Sequence, residues 1–240
     1  MNILVTGASR GIGAAAYALL KKRGHNVVGH SSQGSDTLIA GNLTDPATPR
    51  DIWETALDEL DGRIDALVNN AGIFEAIADN APDDEWHAAW ARTLTVNLQA
   101  AADLSRLAVS HFLDRGGGAE EITGRIVNVA SRAAFRGDSP QHWHYAASKG
   151  AMVAMTRTIA RGYAADGILC FAVAPGFTVT EMAEDYLAKR GGGDKIVAEI
   201  PLGRVASTDE VAEAIRWLAT EAPASATGNV IDVNGASYVR

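Results

Sequence analysis

Tyr145 and Lys149 stand four positions apart in the stretch SPQHWHYAASKG, at the start of a helix-like segment, so they share one helical face. A tyrosine phenol ionises near about 10, which makes it a poor acid or base at neutral pH. A cation about 4 Å away contributes roughly 4 kcal/mol at an effective dielectric of about 20, enough to bring the phenol into range for proton transfer. Taken alone, the pair reads better as a packed tyrosine beside a solvated lysine. His142 and His144 in the same stretch suit a metal site or hydrolase by type, yet no Asp, Glu or Cys accompanies them at metal spacing, and no metal is expected.

A second stretch, TGASRGIG at residues 6–13, points to phosphate chemistry. An apolar run leads into it and a helix-like run leaves it. Gly7 allows a tight turn, Gly11 lets the backbone approach a pyrophosphate, and Gly13 lets the helix pack close to a sheet. Free N–H groups and the dipole at the helix start would face the phosphates. Ser9 and Ile12 belong to the same turn, and Arg10 within it can reach a ribose 2′-phosphate. The next apolar run ends VVGHSSQGSD, where an NAD site usually carries a carboxylate for the ribose. His30, Ser31 and Ser32 occupy that place, and the first carboxylate is Asp36. NADP(H) is therefore expected over NAD(H).

Positioning these groups falls to an alternation of short and long segments. NILVTG, NVVGHS, TLIAGNL, IDALVNNAG, GRIVNVAS, ILCFAVAPG and NVIDVNG are continuously apolar, as strands buried on both faces of a parallel sheet are. Helix-like stretches follow Gly13 and cover about 47–60, 84–114, 146–165 and 208–220. This order predicts an α/β, doubly wound, Rossmann-type sheet of about seven parallel strands with helices on both faces. Only SQGSD separates the second and third runs, too little for a crossover helix. No linker or repeat divides residues 1–240, so a single domain is expected.

A formal net charge of −8 argues against a nucleic-acid partner. Cys170, the one cysteine, lies in an apolar run and reads as a buried thiol. No stretch has the length of a membrane helix and no signal peptide is visible, so a cytoplasmic location is expected.

Together these stretches resemble the short-chain dehydrogenases/reductases. TGASRGIG, NNAG at 69–72, Asn97 in TVNLQA, Ser131 in NVAS, Tyr145 and Lys149 in YAASK, and PGFTVT at 175–180 stand in that family's order, close to its spacings. The resemblance covers nearly the whole chain and implies a NADP(H)-dependent oxidoreductase acting on a carbonyl or secondary alcohol. It implies Tyr145 as proton donor and acceptor, with Lys149 holding the nicotinamide ribose and lowering the tyrosine pKa. Ser131 would bond the substrate oxygen, and Asn97 would hold a water behind Lys149. It places Asn42 and Leu43 beside adenine, Asn70, Ala71 and Gly72 along the ribose, and Pro175, Gly176, Thr178 and Thr180 on the carboxamide and pyrophosphate side. A homo-oligomer, tetramer or dimer, is also implied.

Two features depart from the family pattern. The second crossover helix is nearly absent, so a more open adenine pocket is expected. Ser131 and Tyr145 are 14 positions apart, one more than usual, which loosens the expected placement of the serine. The segment FTVTEMAEDYLAKRGGGDKIVAEIPLGR is expected to close over the cofactor. The pattern is most like the 3-oxoacyl-carrier-protein reductases, but the stretches that would meet an acidic carrier, GGAEEITG and AADG, are themselves acidic. A small carbonyl or alcohol is therefore ranked first. Trp143, His144 and Phe177 are expected to shape the substrate pocket, with Ser131 at its base. A binding protein that holds NADP without turnover is the alternative of another class.

Overall fold

The computed structural model describes residues 1–118, 120–178 and 193–240. All seven apolar runs form strands: β1 (Asn2–Val5), β2 (Asn26–Ser31), β3 (Leu38–Ala40), β4 (Ala66–Asn69), β5 (Gly124–Val129), β6 (Ile168–Pro175) and β7 (Val230–Val233). They join in one parallel sheet with the order β3-β2-β1-β4-β5-β6-β7. The strand order reverses at β1 and β4, and a crevice opens there beyond the strand C-termini, where open α/β sheets bind ligands.

Side chains alternate across the sheet and explain why the strands read as continuously apolar. Ile3 and Val5 pack on one face with α1 (Gly11–Lys22) and the helix Thr208–Thr220. Leu4 packs on the other with α2 (Thr48–Glu59) and the helix Ala100–Asp114. Both faces are buried, so neither needs polar alternation. Cys170 is fully buried, as expected. The β2–β3 link contains no helix. Among the described residues, no helix is long and apolar enough to cross a membrane.

The expected helix over 84–114 is broken. It runs as α3 (Asp83–Leu94), a π-helical turn (Thr95–Gln99) and α4 (Ala100–Asp114). Its apolar periodicity continues through the wide turn, so the sequence carries no sign of the break. A short helix, α5 (Ala133–Arg136), follows Ser131 within that loop. α6 (Trp143–Tyr163) starts about one turn earlier than expected, and α7 (Gly193–Ala198) and α8 (Thr208–Thr220) complete the described helices. Residues 179–192 of the expected covering segment lie outside the described residues.

A buried polar chain ties the sheet to its helices below the crevice. The Asn69 side-chain amide donates to Asn128 Oδ1 (2.9 Å) and Ser105 Oγ (3.0 Å). The Asn128 amide donates in turn to Thr156 Oγ1 (2.9 Å). One network thus fixes β4, β5, α4 and α6, at no exposed point. Asn128→Ala would leave Asn69 and Thr156 short of partners, and we expect a stability loss of about 2–3 kcal/mol, read as a lowered urea midpoint.

Candidate active site

The glycine turn is shaped by its neighbours. Gly7 and Gly11 have φ of +68° and +57°, a region that side chains disfavour. A Cβ on Gly13 would lie 2.0 Å from the Gly7 carbonyl oxygen and 2.3 Å from Asn70 Nδ2. Asn70 itself donates from Nδ2 to the carbonyls of Thr6 (2.9 Å) and Gly7 (3.0 Å). Thr6 Oγ1 accepts from the N–H groups of Asn70 and Ala71 (both 3.1 Å). His30 braces the turn from the other side. Its Nδ1 accepts from Gly7 N–H (3.4 Å) and its Nε2–H donates to the Gly41 carbonyl (2.9 Å), the one tautomer that serves both. Burial lowers its pKa and keeps it neutral. Sequence reasoning placed His30 beside the ribose but missed this bracing role, because Gly41 lies on another strand connection.

No side chain caps the start of α1, and no acidic residue stands in its first turn. By contrast, α8 is closed by a capping box of Ser207 and Glu210. The open N–H groups of α1 face a cleft of about 430 Å³, the size of a ligand site, and suit the phosphates of a nicotinamide cofactor. Ser9, Arg10, Ile12, Ser31, Ser32, Asn42, Leu43, Asn70, Ala71, Gly72, Pro175, Gly176 and Thr178 all line this cleft with the three glycines. Asp36 does not. Thr180 lies outside the described residues.

Ser131, Tyr145 and Lys149 meet at the other end of the same cleft. Ser131 lies near enough to Tyr145 to draw its pKa down despite the longer spacing, and its Oγ accepts from Ala133 N–H (3.1 Å) at the start of α5. Tyr145 also packs edge-on against Phe74, with centroids 4.7 Å apart. Lys149 Nζ donates to the Val129 carbonyl (2.7 Å) and lies 5.9 Å from the Tyr145 ring. Asn97, fully buried in the π-helical turn, accepts from Ile73 N–H (2.8 Å) and donates to the Ile73 carbonyl (2.9 Å). It therefore fixes the strand-β4 loop rather than its own helix. A Cβ on Gly72 would stand 3.3 Å from Asn97 Oδ1 and 3.6 Å from Lys149 Nζ, so this glycine keeps the two groups adjacent.

The expected lowering of the tyrosine pKa is not what this arrangement produces. Burial pushes the Tyr145 phenol up to about 12, against a smaller opposing pull from the Ser131 hydrogen bond. Burial likewise brings the Lys149 ammonium down to about 8. Desolvation is the leading cause of both shifts, and Nζ is turned to the Val129 carbonyl.

Two expected substrate contacts are also corrected. Neither Trp143 nor His144 lines the cleft. Successive residues of a helix point about 100° apart, so where Tyr145 faces the cleft its two predecessors cannot. Trp143 is exposed against Trp86, and His144 is buried against Trp90. His142 stacks on Phe74, with centroids 3.9 Å apart, and bonds Ser139 Oγ through Nδ1 (2.7 Å). Among the described residues, no group of three metal-ligating side chains converges. Phe177 does line the cleft, joined by Phe74, Glu75, Arg92, Arg132 and Asp138, which sequence reasoning did not select. They carry no motif and come from three separate loops and helices.

A family model described as enoyl-(acyl carrier protein) reductase matches residues 7–236. The chain is 33% identical to the 3-oxoacyl-[acyl-carrier-protein] reductase of Escherichia coli K12 over 98% of its own length and 96% of the relative's. The chain belongs to the short-chain dehydrogenase/reductase family. Its structure matches a Thermoplasma acidophilum aldohexose dehydrogenase with a TM-score of 0.85 at 28% identity, covering 99% of this chain and 94% of the other. It also matches a putative NAD(P)-dependent gluconate 5-dehydrogenase from Beutenbergia cavernae, solved with NADP bound at low occupancy, with a TM-score of 0.84 at 32% identity over 97% and 94%. This short-chain dehydrogenase/reductase is thus an oxidoreductase of carbonyl or alcohol groups that uses a nicotinamide cofactor.

Lys149 makes stability depend on pH. The folded ammonium gives up its proton near 8, the unfolded one near 10.5. Between those values the unfolded chain binds the extra proton, so stability climbs with pH across the window. Tyr145 acts in the opposite sense above about 10, where the folded phenol keeps a proton that the unfolded one loses. Urea unfolding between pH 8.0 and 9.5 should show a gain of about 2 kcal/mol, and Lys149→Met should flatten it.

Proposed function

We propose that this enzyme interconverts a small carbonyl compound and its secondary alcohol with NADP(H), with Tyr145 as the acid and base. The observation that carries the reading is the convergence of Ser131, Tyr145 and Lys149 in the cleft that begins at the uncapped start of α1. The bound cofactor supplies or accepts the hydride at the substrate carbon. Ser131 holds the substrate oxygen, and Tyr145, protonated at neutral pH, gives its phenolic proton to that oxygen on reduction. On oxidation the phenol must first release its own proton to solvent, and the resulting phenolate oxygen then takes the hydroxyl proton. Lys149 turns from the Val129 carbonyl towards the ribose and the phenol, and Asn97 keeps the loop behind it in place. Preference for NADP(H) rests on Arg10 at the cleft edge and on Ser31 and Ser32 where a carboxylate would repel a 2′-phosphate.

Reduction of 3-oxoacyl groups on a carrier protein is the second reading, favoured by 33% identity to such reductases over nearly the full chain. Acidic residues such as Glu120 and Glu121 disfavour docking of an acidic carrier.

Tyr145→Phe should lower kcat about 10²–10⁴-fold while NADPH still binds, as followed by nicotinamide absorbance and tryptophan fluorescence. Unchanged turnover would refute the acid–base assignment. Arg10→Gln should raise KM for NADPH about tenfold and leave KM for NADH unmoved.

A further inference from the structure

Among the described residues two arginines are buried, and they differ in one respect. Arg125, on β5, is capped by the carbonyls of Leu218 (3.2 Å) and Ala222 (2.9 Å) and serves the packing of α8. Arg132 is 7% exposed, and among the described residues its Nη1 has no hydrogen-bond partner. It directly follows Ser131, and its backbone is held by an N–H bond to the Pro175 carbonyl (2.9 Å). Its guanidinium lies over the Phe177 ring, 4.8 Å from the centroid, in the wall of the cleft that contains Tyr145. A buried guanidinium N–H without an acceptor is costly, and native structures seldom keep one without a reason.

The surrounding charges do not meet that need. Arg92 is committed to Glu75 through two bonds of 2.6 and 2.8 Å. Glu199 pairs with Arg136 at 3.6 Å. Asp138 accepts from Ser139 N–H (2.7 Å), and its carboxylate stands 4.0 Å from His142 Nδ1. Arg132 feels both Asp138 and Glu199 electrostatically, yet bonds to neither.

We propose that Arg132 holds the carboxylate of the substrate, so that the compound turned over is a short oxo acid or the matching hydroxy acid. The inference rests on the oxidoreductase reading and names the substrate class of that site. A guanidinium stacked on an aromatic face presents its N–H edge as a fork, which matches the two oxygens of a carboxylate. A monoanion suits the wall better than a phosphate dianion, because Glu75 and Asp138 line it as well. Since Ser131 and Arg132 are neighbours in sequence, the carboxylate falls within a few carbons of the reacting oxygen. An acyl thioester offers no charge at this position.

The test pairs acids with neutral twins. The enzyme with NADPH is given 2-, 3- and 5-oxohexanoate and the methyl ester of each, and binding of the same acids to the NADP-loaded protein is followed by calorimetry. Wild-type enzyme should favour at least one acid over its ester, and Arg132→Met should lower that acid-to-ester ratio of kcat/KM about 10–100-fold, mainly through KM. Arg132→Lys, which keeps the charge and loses the fork, should fall between. NADPH binding by tryptophan fluorescence reports that each variant is folded, and the wild-type ratio alone decides if neither variant folds. Esters turned over as well as their acids, or an acid preference unchanged in Arg132→Met, would overturn the proposal, and so would acids that are neither bound nor reduced. Acids that bind wild type but not Arg132→Met, with no compound reduced, would sustain the arginine's role and sink the oxidoreductase reading instead.

Discussion

The side-chain amide of Asn70 is the contact on which the cleft depends. It reaches from the end of β4 to the carbonyls of Thr6 and Gly7 at the end of β1, across the place where the strand order reverses. A parallel sheet leaves a crevice at such a reversal, and without a bridge the two loops would be independent. The bridge passes so close to α1 that residue 13 has no room for a side chain. His30 repeats the device on the far side of the turn, linking Gly7 to Gly41. Both braces spend side-chain donors and acceptors on the turn, leaving the N–H groups at the start of α1 uncapped by any side chain.

The protonation states at the other end of the cleft depend on exclusion of water. Tyr145 and Lys149 are both held towards their neutral forms by burial, the phenol by an upward shift and the ammonium by a downward one. The lysine finds its partner in the Val129 carbonyl, which β5 delivers, and the residue that draws the tyrosine pKa down is Ser131, two residues further along the same strand exit. One strand end therefore arranges both. The π-helical turn at Asn97 adds the third support by turning that amide onto the Ile73 backbone instead of into its own helix. A wide turn is what allows a buried helical residue to aim at a loop on another element.

The buried arginines show how similar burial has different consequences. Arg125 ends on two carbonyls and is satisfied by the fold. Arg132 lines the cleft beside Ser131, and among the described residues its Nη1 has no acceptor. The difference is not in residue type or in exposure, but in whether the nearest backbone turns its carbonyls inward.

By itself the sequence determined the architecture and most of the site. Seven largely apolar runs became seven parallel strands, because burial on both sheet faces favours apolar side chains on either side of the strand. Glycines 7, 11 and 13, Ser131, Tyr145 and Lys149 were legible because turn geometry and helical spacing are local, and a known family pattern joined them. Tertiary structure alone decided the rest. Trp143 and His144 left the pocket when α6 began at Trp143, a one-turn change that reassigns which side chains face inward. The tyrosine pKa moved up instead of down because folding buries the phenol away from water, while Lys149 found a carbonyl on a strand distant in sequence. The roles of His30, Asn97 and Arg132 depend on partners, or on a missing partner, contributed by other loops, and no spacing within a chain encodes what folding brings beside it.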